Sequence, residues 1–180
     1  MKKFTLYIGM LLIMVFMTNP ASAQQISLKT NALLWVNCTP NLSAEFVTSK
    51  RTSFDATAFY TIKNGPFDFN VRGASLEYRY WLAGRPFVRS FVGLSIGGTN
   101  YRILSDSTIK QGDAGGVGLT FGYVLPIGKH WNIEFVSGFG AVFFREKRYN
   151  KYEFENNMDY NENGHRYLPN KIGVSIGYTF

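Results

Sequence analysis

Three groups of residues in this chain have types and spacings that could do chemistry. Asp159-Tyr-Asn161-Glu-Asn163-Gly164 sets acidic and amide oxygens at alternate positions and a glycine at the sixth, as in the first half of an EF-hand calcium loop. The twelfth position, which should supply a bidentate glutamate, is Asn170, Pro169 precedes it, and no helical periodicity flanks the segment. The segment therefore reads as an Asn-rich, solvated loop tip, and neither metal nor other cofactor is expected. Ser105-Asp106-Ser107 and His165 supply, from two separate loops, the residue types of a Ser-His-Asp constellation. No motif fixes their geometry, and the second histidine, His130, falls in a tight turn at the opposite end, so no catalytic residue is nominated and the chain is expected not to be an enzyme. The third group is charge inside strands: Lys29, Glu45, Asp55, Glu77, Arg79, Arg89, Glu134 and Lys171 occur among apolar residues and glycines.

The elements that position these residues read as β-strands. In Lys171-Ile-Gly-Val-Ser-Ile-Gly-Tyr-Thr-Phe180, Ile172, Val174, Ile176, Tyr178 and Phe180 alternate with Lys171, Gly173, Ser175, Gly177 and Thr179. Strand side chains alternate faces, so one face meets an apolar medium and the other a small polar space. Eight stretches carry strand character: Ile26 to Val36, Asn41 to Thr48, Ser53 to Ile62, Val71 to Leu82, Pro86 to Ile103, Ala114 to Leu125, Trp131 to Arg148 and Asn170 to Phe180. Most are near the roughly 9–11 residues of a tilted transmembrane strand. Ser49 to Thr52, Ala83 to Arg85 and Pro126 to His130 are tight turns. Lys63 to Asn70, Leu104 to Asp113 and Tyr149 to Pro169 are longer and polar, while Asn37 to Pro40 is short. Short periplasmic turns alternating with longer extracellular loops are the pattern of an all-β, eight-stranded antiparallel transmembrane β-barrel with both termini in the periplasm. Tyr78, Tyr80, Trp131, Tyr178 and Phe180 are expected in one aromatic girdle, and Tyr60, Tyr101 and Phe143 in the other.

Alternation also assigns the lumen. Gly73, Ser75, Glu77 and Arg79 oppose Ala74, Leu76, Tyr78 and Tyr80, while Lys29, Asn31, Glu45, Asp55, Arg89, Glu134 and Lys171 share the polar phase. An eight-stranded barrel is only wide enough for side chains to fill, so these charges are expected to pair and close the lumen rather than line a pore. Gly93, Gly97, Gly118, Gly122, Gly138 and Gly140 are expected to leave room for the long Arg, Lys and Glu side chains. A soluble lipocalin-like barrel would reverse this pattern, with its apolar residues inside.

Met1-Lys2-Lys3, the apolar run Leu6 to Met17 and Ala21-Ser22-Ala23 read as a secretory signal peptide, residues 1–23, cleaved after Ala23, leaving the barrel at residues 24–180. The apolar run is shorter than the roughly 20 residues of a membrane-spanning helix. Cys38 is the sole cysteine, which excludes an internal disulfide, and is expected to be a small buried or lipid-facing residue. The formal net charge is +7. Its lysines and arginines are dispersed between turns, loops and strand interiors, with no basic helix or zinc knuckle, so nucleic acid is not an expected partner. Outer-membrane lipid and the phosphates of lipopolysaccharide are. The final aromatic residue resembles the C-terminal signal read by the barrel assembly machinery of Gram-negative outer membranes.

The stretch Arg145 to Tyr167 interleaves basic residues with tyrosines, and Arg148, Tyr149, Tyr152, Tyr160 and Tyr167 are the candidate surface-interaction residues. The segments Lys29-Thr-Asn-Ala-Leu-Leu34, Thr39-Pro-Asn-Leu-Ser-Ala-Glu-Phe46, Leu76-Glu-Tyr-Arg-Tyr-Trp81, Gly128-Lys-His-Trp-Asn-Ile-Glu134 and Pro169 to Phe180 carry a resemblance across the mature chain. It resembles a family of small Gram-negative outer-membrane β-barrels of unknown function, often encoded near fimbrial subunits. The resemblance implies fold and location: a structural or surface-interaction protein, accessory to fimbriae or to envelope integrity, with a fimbrial or other surface protein as partner. The alternative is an outer-leaflet lipid A-modifying enzyme of the acyltransferase or deacylase type.

Overall fold

The computed structural model describes residues 25–62, 67–104, 108–150 and 162–180, the side chains of residues 149 and 150 excepted. The expected signal peptide, Ser105-Asp106-Ser107, Tyr152, and Asp159 to Asn161 lie outside the described residues. The described chain forms β1 (Ile26–Asn31), a helical turn α1 (Ala32–Val36), β2 (Asn41–Ser49), β3 (Thr52–Tyr60), β4 (Phe69–Trp81), β5 (Arg89–Leu104), β6 (Thr108–Ile127), β7 (Trp131–Asn150) and β8 (Glu162–Thr179). Each strand pairs antiparallel with the next, and β1 pairs with β8 from Ser27↔Thr179 to Asn31↔Ser175, closing the ring as a barrel. Closure satisfies every strand on both sides and leaves no sheet edge.

The strand order and hand-over points follow the sequence pattern, but several lengths do not. β1 ends at Asn31, because its side chain caps α1 by accepting from the Leu33 amide. Cys38 lies exposed in the connection that follows, with φ near 49°, and not in a buried or wall position. β6 and β7 run 20 residues each and β8 runs 18, so parts of the expected outer loops, above all residues 108–113 and 162–169, are paired strand. Where both faces of a strand meet water the apolar alternation disappears, yet the ladder hydrogen bonds persist; the polar stretches concealed strand for that reason. β5 starts later than expected, at Arg89: Phe87 and Arg89 both have φ near 61°, which interrupts the extended backbone.

Outside, the wall is apolar. Leu42, Phe54, Leu76, Leu94, Leu119 and Phe135 are among its large exposed side chains. Inside, the short-turn end is filled by Trp81, Phe87, Phe91, Val124 and Val136. Phe87 and Phe91 pack on the Trp81 ring, with centroids 5.9 and 5.0 Å away. This apolar plug was not foreseen from sequence, since each member occupies the strand phase that elsewhere carries polar residues. Tyr78, Tyr80, Trp131 and Phe180 face outward near the same end, as expected of a girdle. Tyr101 does not: its hydroxyl donates to Glu146 Oε2 at 2.7 Å on the lumenal face, whereas Tyr60 and Phe143 do face outward.

The interior glycines make room for a ring and an amide as well as for charged side chains. A Cβ at Gly122 would overlap the Phe91 ring, and Cβ atoms at Gly118 or Gly138 would overlap the Asn170 amide. Gly93 gives space to Glu77, as expected. Gly122→Ala is therefore expected to destabilise the barrel by about 1–3 kcal/mol through overpacking. Phe91→Leu in the same chain should relieve the clash, so the double variant should lose at least about 0.5 kcal/mol less than the two single losses combined. Urea unfolding of the four proteins checks this; simple additivity would show that the glycine is not there for the ring.

Candidate functional site

Seven strands converge on one ionic cluster in the middle of the lumen. Lys29 on β1 places Nζ 2.6 Å from Glu45 on β2, 2.7 Å from Asp55 on β3 and 2.9 Å from Glu134 on β7. The ammonium donates to Glu45 and Glu134 and forms a close ion pair with Asp55. Arg79 on β4 is equally committed. Its Nη1 donates to Glu45 and Glu134 at 2.8 Å each, Nη2 to Glu134 at 2.9 Å and Glu77 at 3.2 Å, and Nε lies 3.1 Å from Glu77. The Arg79 guanidinium also stacks 4.3 Å above the Phe91 ring, joining the ionic cluster to the apolar plug. Lys171 on β8 pairs with Glu77, and Thr120 on β6 donates to that carboxylate at 2.6 Å. Trp81 donates to Ser53 at 2.8 Å, and Ser53 donates in turn to Glu45.

Alternation along the strands brings these residues to one level, and their burial makes pairing compulsory. Glu45, Asp55, Glu77, Arg79, Glu134 and Lys29 are all buried. An unpaired charge in such a place costs several kcal/mol. The expected inward placement of Lys29, Glu45, Asp55, Glu77, Arg79, Glu134 and Lys171 therefore holds. Arg89 is a correction: it is exposed at the start of β5, where its positive φ takes it out of the inward phase. Asn31 also departs from a simple lumenal role, since it caps α1 and donates to the Ile172 carbonyl at 3.3 Å.

A β-bulge shapes the space next to the cluster. Gly138 pairs with Lys171 but Phe139 pairs with Pro169, leaving Asn170 as the extra residue on β8. Both Asn170 and Lys171 consequently turn inward. Asn170 Nδ2 donates to Ser95 Oγ at 3.3 Å, and Ser95 donates to the Gly118 carbonyl at 3.2 Å. On the side of the cluster away from the apolar plug lies a cup of about 440 Å³. Lys29, Asp55, Arg79, Glu134 and Lys171 contribute to its floor, Phe59, Ser75, Thr99, Val142 and Leu168 to its walls, and Leu34 of α1 also lines it.

The other residues singled out by sequence fall elsewhere. Arg148 and Tyr149 lie on β7 and Tyr167 on β8; Arg148 and Tyr167 are exposed. They belong to projecting strands and not to a loop. His165 is likewise in β8, its ring between Phe143 and Tyr167 at centroid distances of 6.2 and 6.1 Å. Glu162-Asn163-Gly164, the described part of the calcium-loop pattern, is paired strand opposite Phe144 to Glu146, and its glycine makes no sharp turn. Among the described residues no group of three or more His, Cys, Asp or Glu side chains is arranged to hold a metal. The bulge at Asn170 was invisible in the sequence, where Asn170 and Lys171 occupy opposite phases of a regular strand.

Residues 8–180 match a family described as Protein of unknown function (DUF3575). No curated protein and no solved structure matches the chain.

The cluster predicts an asymmetry between two arginines. Arg79→Met leaves Glu45, Glu77 and Glu134 under-compensated in the interior and should cost about 3–5 kcal/mol. Arg89→Met, at an exposed position, should stay within about 0.5 kcal/mol of the parent. Urea midpoints of the refolded proteins measure both, and equal losses would show that the buried pairing does not hold the barrel together.

Proposed function

The chain belongs to the DUF3575 family of proteins of unknown function, and we propose that it is an integral β-barrel of a Gram-negative outer membrane with a structural or surface-interaction role. The observation that carries this reading is the inversion of the wall. Charges are buried and paired inside, while Leu76, Leu94, Leu119, Phe121 and Phe139 are 44–61% exposed outside. A water-soluble barrel would turn those residues inward, whereas a barrel in lipid gains by presenting them. No helix among the described residues is long and apolar enough to cross a membrane.

The lopsided wall supports the surface role. Roughly 9–11 residues suffice to cross a bilayer as a tilted strand, and the 20-residue β6 and β7 exceed that by about as much again. Together with β5 and β8 they form two hairpins that stand beyond the apolar belt. Arg145, Arg148 and Arg166 are exposed on this projection, with Tyr167 beside them. Guanidinium groups recognise phosphate through paired hydrogen bonds, which suits lipopolysaccharide head groups at the base of the projection. Tyrosines interleaved with them suit a protein partner, such as a fimbrial or other surface protein, and an accessory function in fimbriae or envelope integrity follows from that placement. The apolar plug and the ionic cluster close the lumen, so passive conduction is not part of the role.

Depth-dependent substitution tests the membrane reading. Leu119→Arg, midway along β6, should cost about 2–4 kcal/mol in lipid vesicles, while Tyr167→Arg should cost about 0–1 kcal/mol. Urea titration followed by tryptophan fluorescence gives both values. A chain that folds and stays dispersed without lipid or detergent, indifferent to Leu119→Arg, would sink the proposal.

The surface role has a separate test. Replacing residues 151–161 with a short Gly-Ser turn should leave insertion intact and abolish binding of the purified protein to its own cell surface or fimbrial fraction. Loss of insertion instead would make that segment part of the fold. The inserted parent should show no steady conductance in planar bilayers, and stable single-channel steps would overturn the closed lumen.

A further inference from the structure

We propose, resting on the membrane reading above, that the short-turn end of the barrel binds the phosphate head groups of anionic phospholipids in the leaflet around it. Lys50 and Arg51 lie between β2 and β3, Arg85 between β4 and β5, Arg89 at the start of β5, and Lys129 between β6 and β7. Antiparallel pairing brings the three turns to one end, and all five side chains are exposed. Residues 47–53, 80–92 and 122–133 contain no Asp or Glu. Among the described residues none of the five cations is in an ion pair. The opposite end mixes signs: Asp68, Asp113 and Glu162 are exposed there together with Arg72, Arg145 and Arg166.

The neighbours of these cations set their level. Arg51 Nη1 donates to the hydroxyl of Tyr80, an outward girdle residue, at 3.3 Å. Arg51 Nε lies 3.9 Å from where a Cβ at Gly84 of the next turn would stand, so the first two turns share one basic surface. Ile127 and Trp131, both exposed, flank Lys129, and exposed Leu82 precedes Arg85. Trp131 in turn packs edge-on against Tyr178, with centroids 5.2 Å apart. The positive φ at Arg89 adds a fifth cation to the rim instead of the lumen.

The charges thus begin where the apolar wall and its aromatic belt stop, which is the depth of lipid head groups. Basic residues at that depth attract anionic lipid. A soluble acidic protein would meet the charges but leave Leu82, Ile127 and Trp131 uncovered. One lipid molecule answers both, with its phosphate on a cation and its chains on the wall.

Trp131 reports on this end. A Trp35→Phe background removes the exposed tryptophan at the other end and leaves buried Trp81 as a constant. That chain is folded into mixed vesicles of phosphatidylcholine and phosphatidylglycerol with one or the other lipid brominated, and quenching gives their relative affinity around Trp131. Phosphatidylglycerol should be favoured about three- to five-fold at low salt, the factor for one basic residue facing one anionic head group. At about 0.5 M salt the preference should fall below about two-fold. Lys50→Gln, Arg51→Gln, Arg85→Gln, Arg89→Gln and Lys129→Gln combined should abolish it with far-UV circular dichroism unchanged. If the combined variant does not fold, Lys129→Gln alone should at least halve the preference. Parity of the two lipids around the folded parent, or a preference that outlasts salt or the substitutions in a folded variant, would overturn the assignment. Parity together with binding of soluble polyglutamate to the inserted chain would overturn it in favour of an acidic protein partner. A parent that enters vesicles of neither lipid would overturn the membrane reading itself, and this surface with it.

Discussion

The rest of this structure depends on the pairing of Lys29 and Arg79 with carboxylates in the middle of the lumen. Closing eight strands into a ring leaves a narrow interior in which the cluster's carboxylates are only 0–3% exposed, so a charge stranded among them would go largely unsolvated. Glu45, Asp55, Glu77 and Glu134 come from β2, β3, β4 and β7, strands that do not all neighbour one another. Two cations therefore link parts of the ring that the ladder hydrogen bonds connect only through intermediates. Such a cluster favours one strand register, because a one-residue slip would take each charge to the outer face. It specifies the fold at least as much as it stabilises it.

The apolar plug and the glycines complete that arrangement. Phe91 occupies the space above Gly122, and Arg79 stacks on Phe91, so a missing Cβ on β6 supports the position of a guanidinium on β4. On the opposite side of the cluster, Gly118 and Gly138 make room for Asn170 instead. The lumen is consequently packed at one end, ionic in the middle and hollow beyond. This gradient converts a side-chain-filled barrel into a closed wall with a cup on one side.

The two faces of the wall and its two ends answer to different demands. Outward residues on the belt shared by the strands are uniformly large and apolar. The far ends of β5 to β8 are held by the ladder together with side-chain contacts such as Tyr101 with Glu146 and Arg166 over Phe144. Arg148, His165, Arg166 and Tyr167 are thereby carried on paired strands, whose backbone hydrogen bonds hold side chains more firmly than a free loop would. A recognition surface built this way loses less conformational freedom when a partner binds.

Alternation determined what could be read without coordinates. The inward phase of Glu45, Asp55, Glu77, Arg79 and Glu134, the number and order of the strands, and the need for ion pairing all follow from a period of two in a narrow closed ring. Tertiary structure decided where that period breaks. Asn31 leaves β1 to cap α1, positive φ at Phe87 and Arg89 delays β5, and the bulge at Asn170 turns two consecutive side chains inward. Each break is a backbone event that residue types do not announce, and the last of them brings Asn170 and Lys171 together into the lining of the cup. The lengths of β6, β7 and β8 were hidden for a related reason. Outside the apolar belt the side chains no longer need to alternate, and only the hydrogen bonds between neighbouring strands, which depend on the partner chain segment and not on local composition, keep the ladder going.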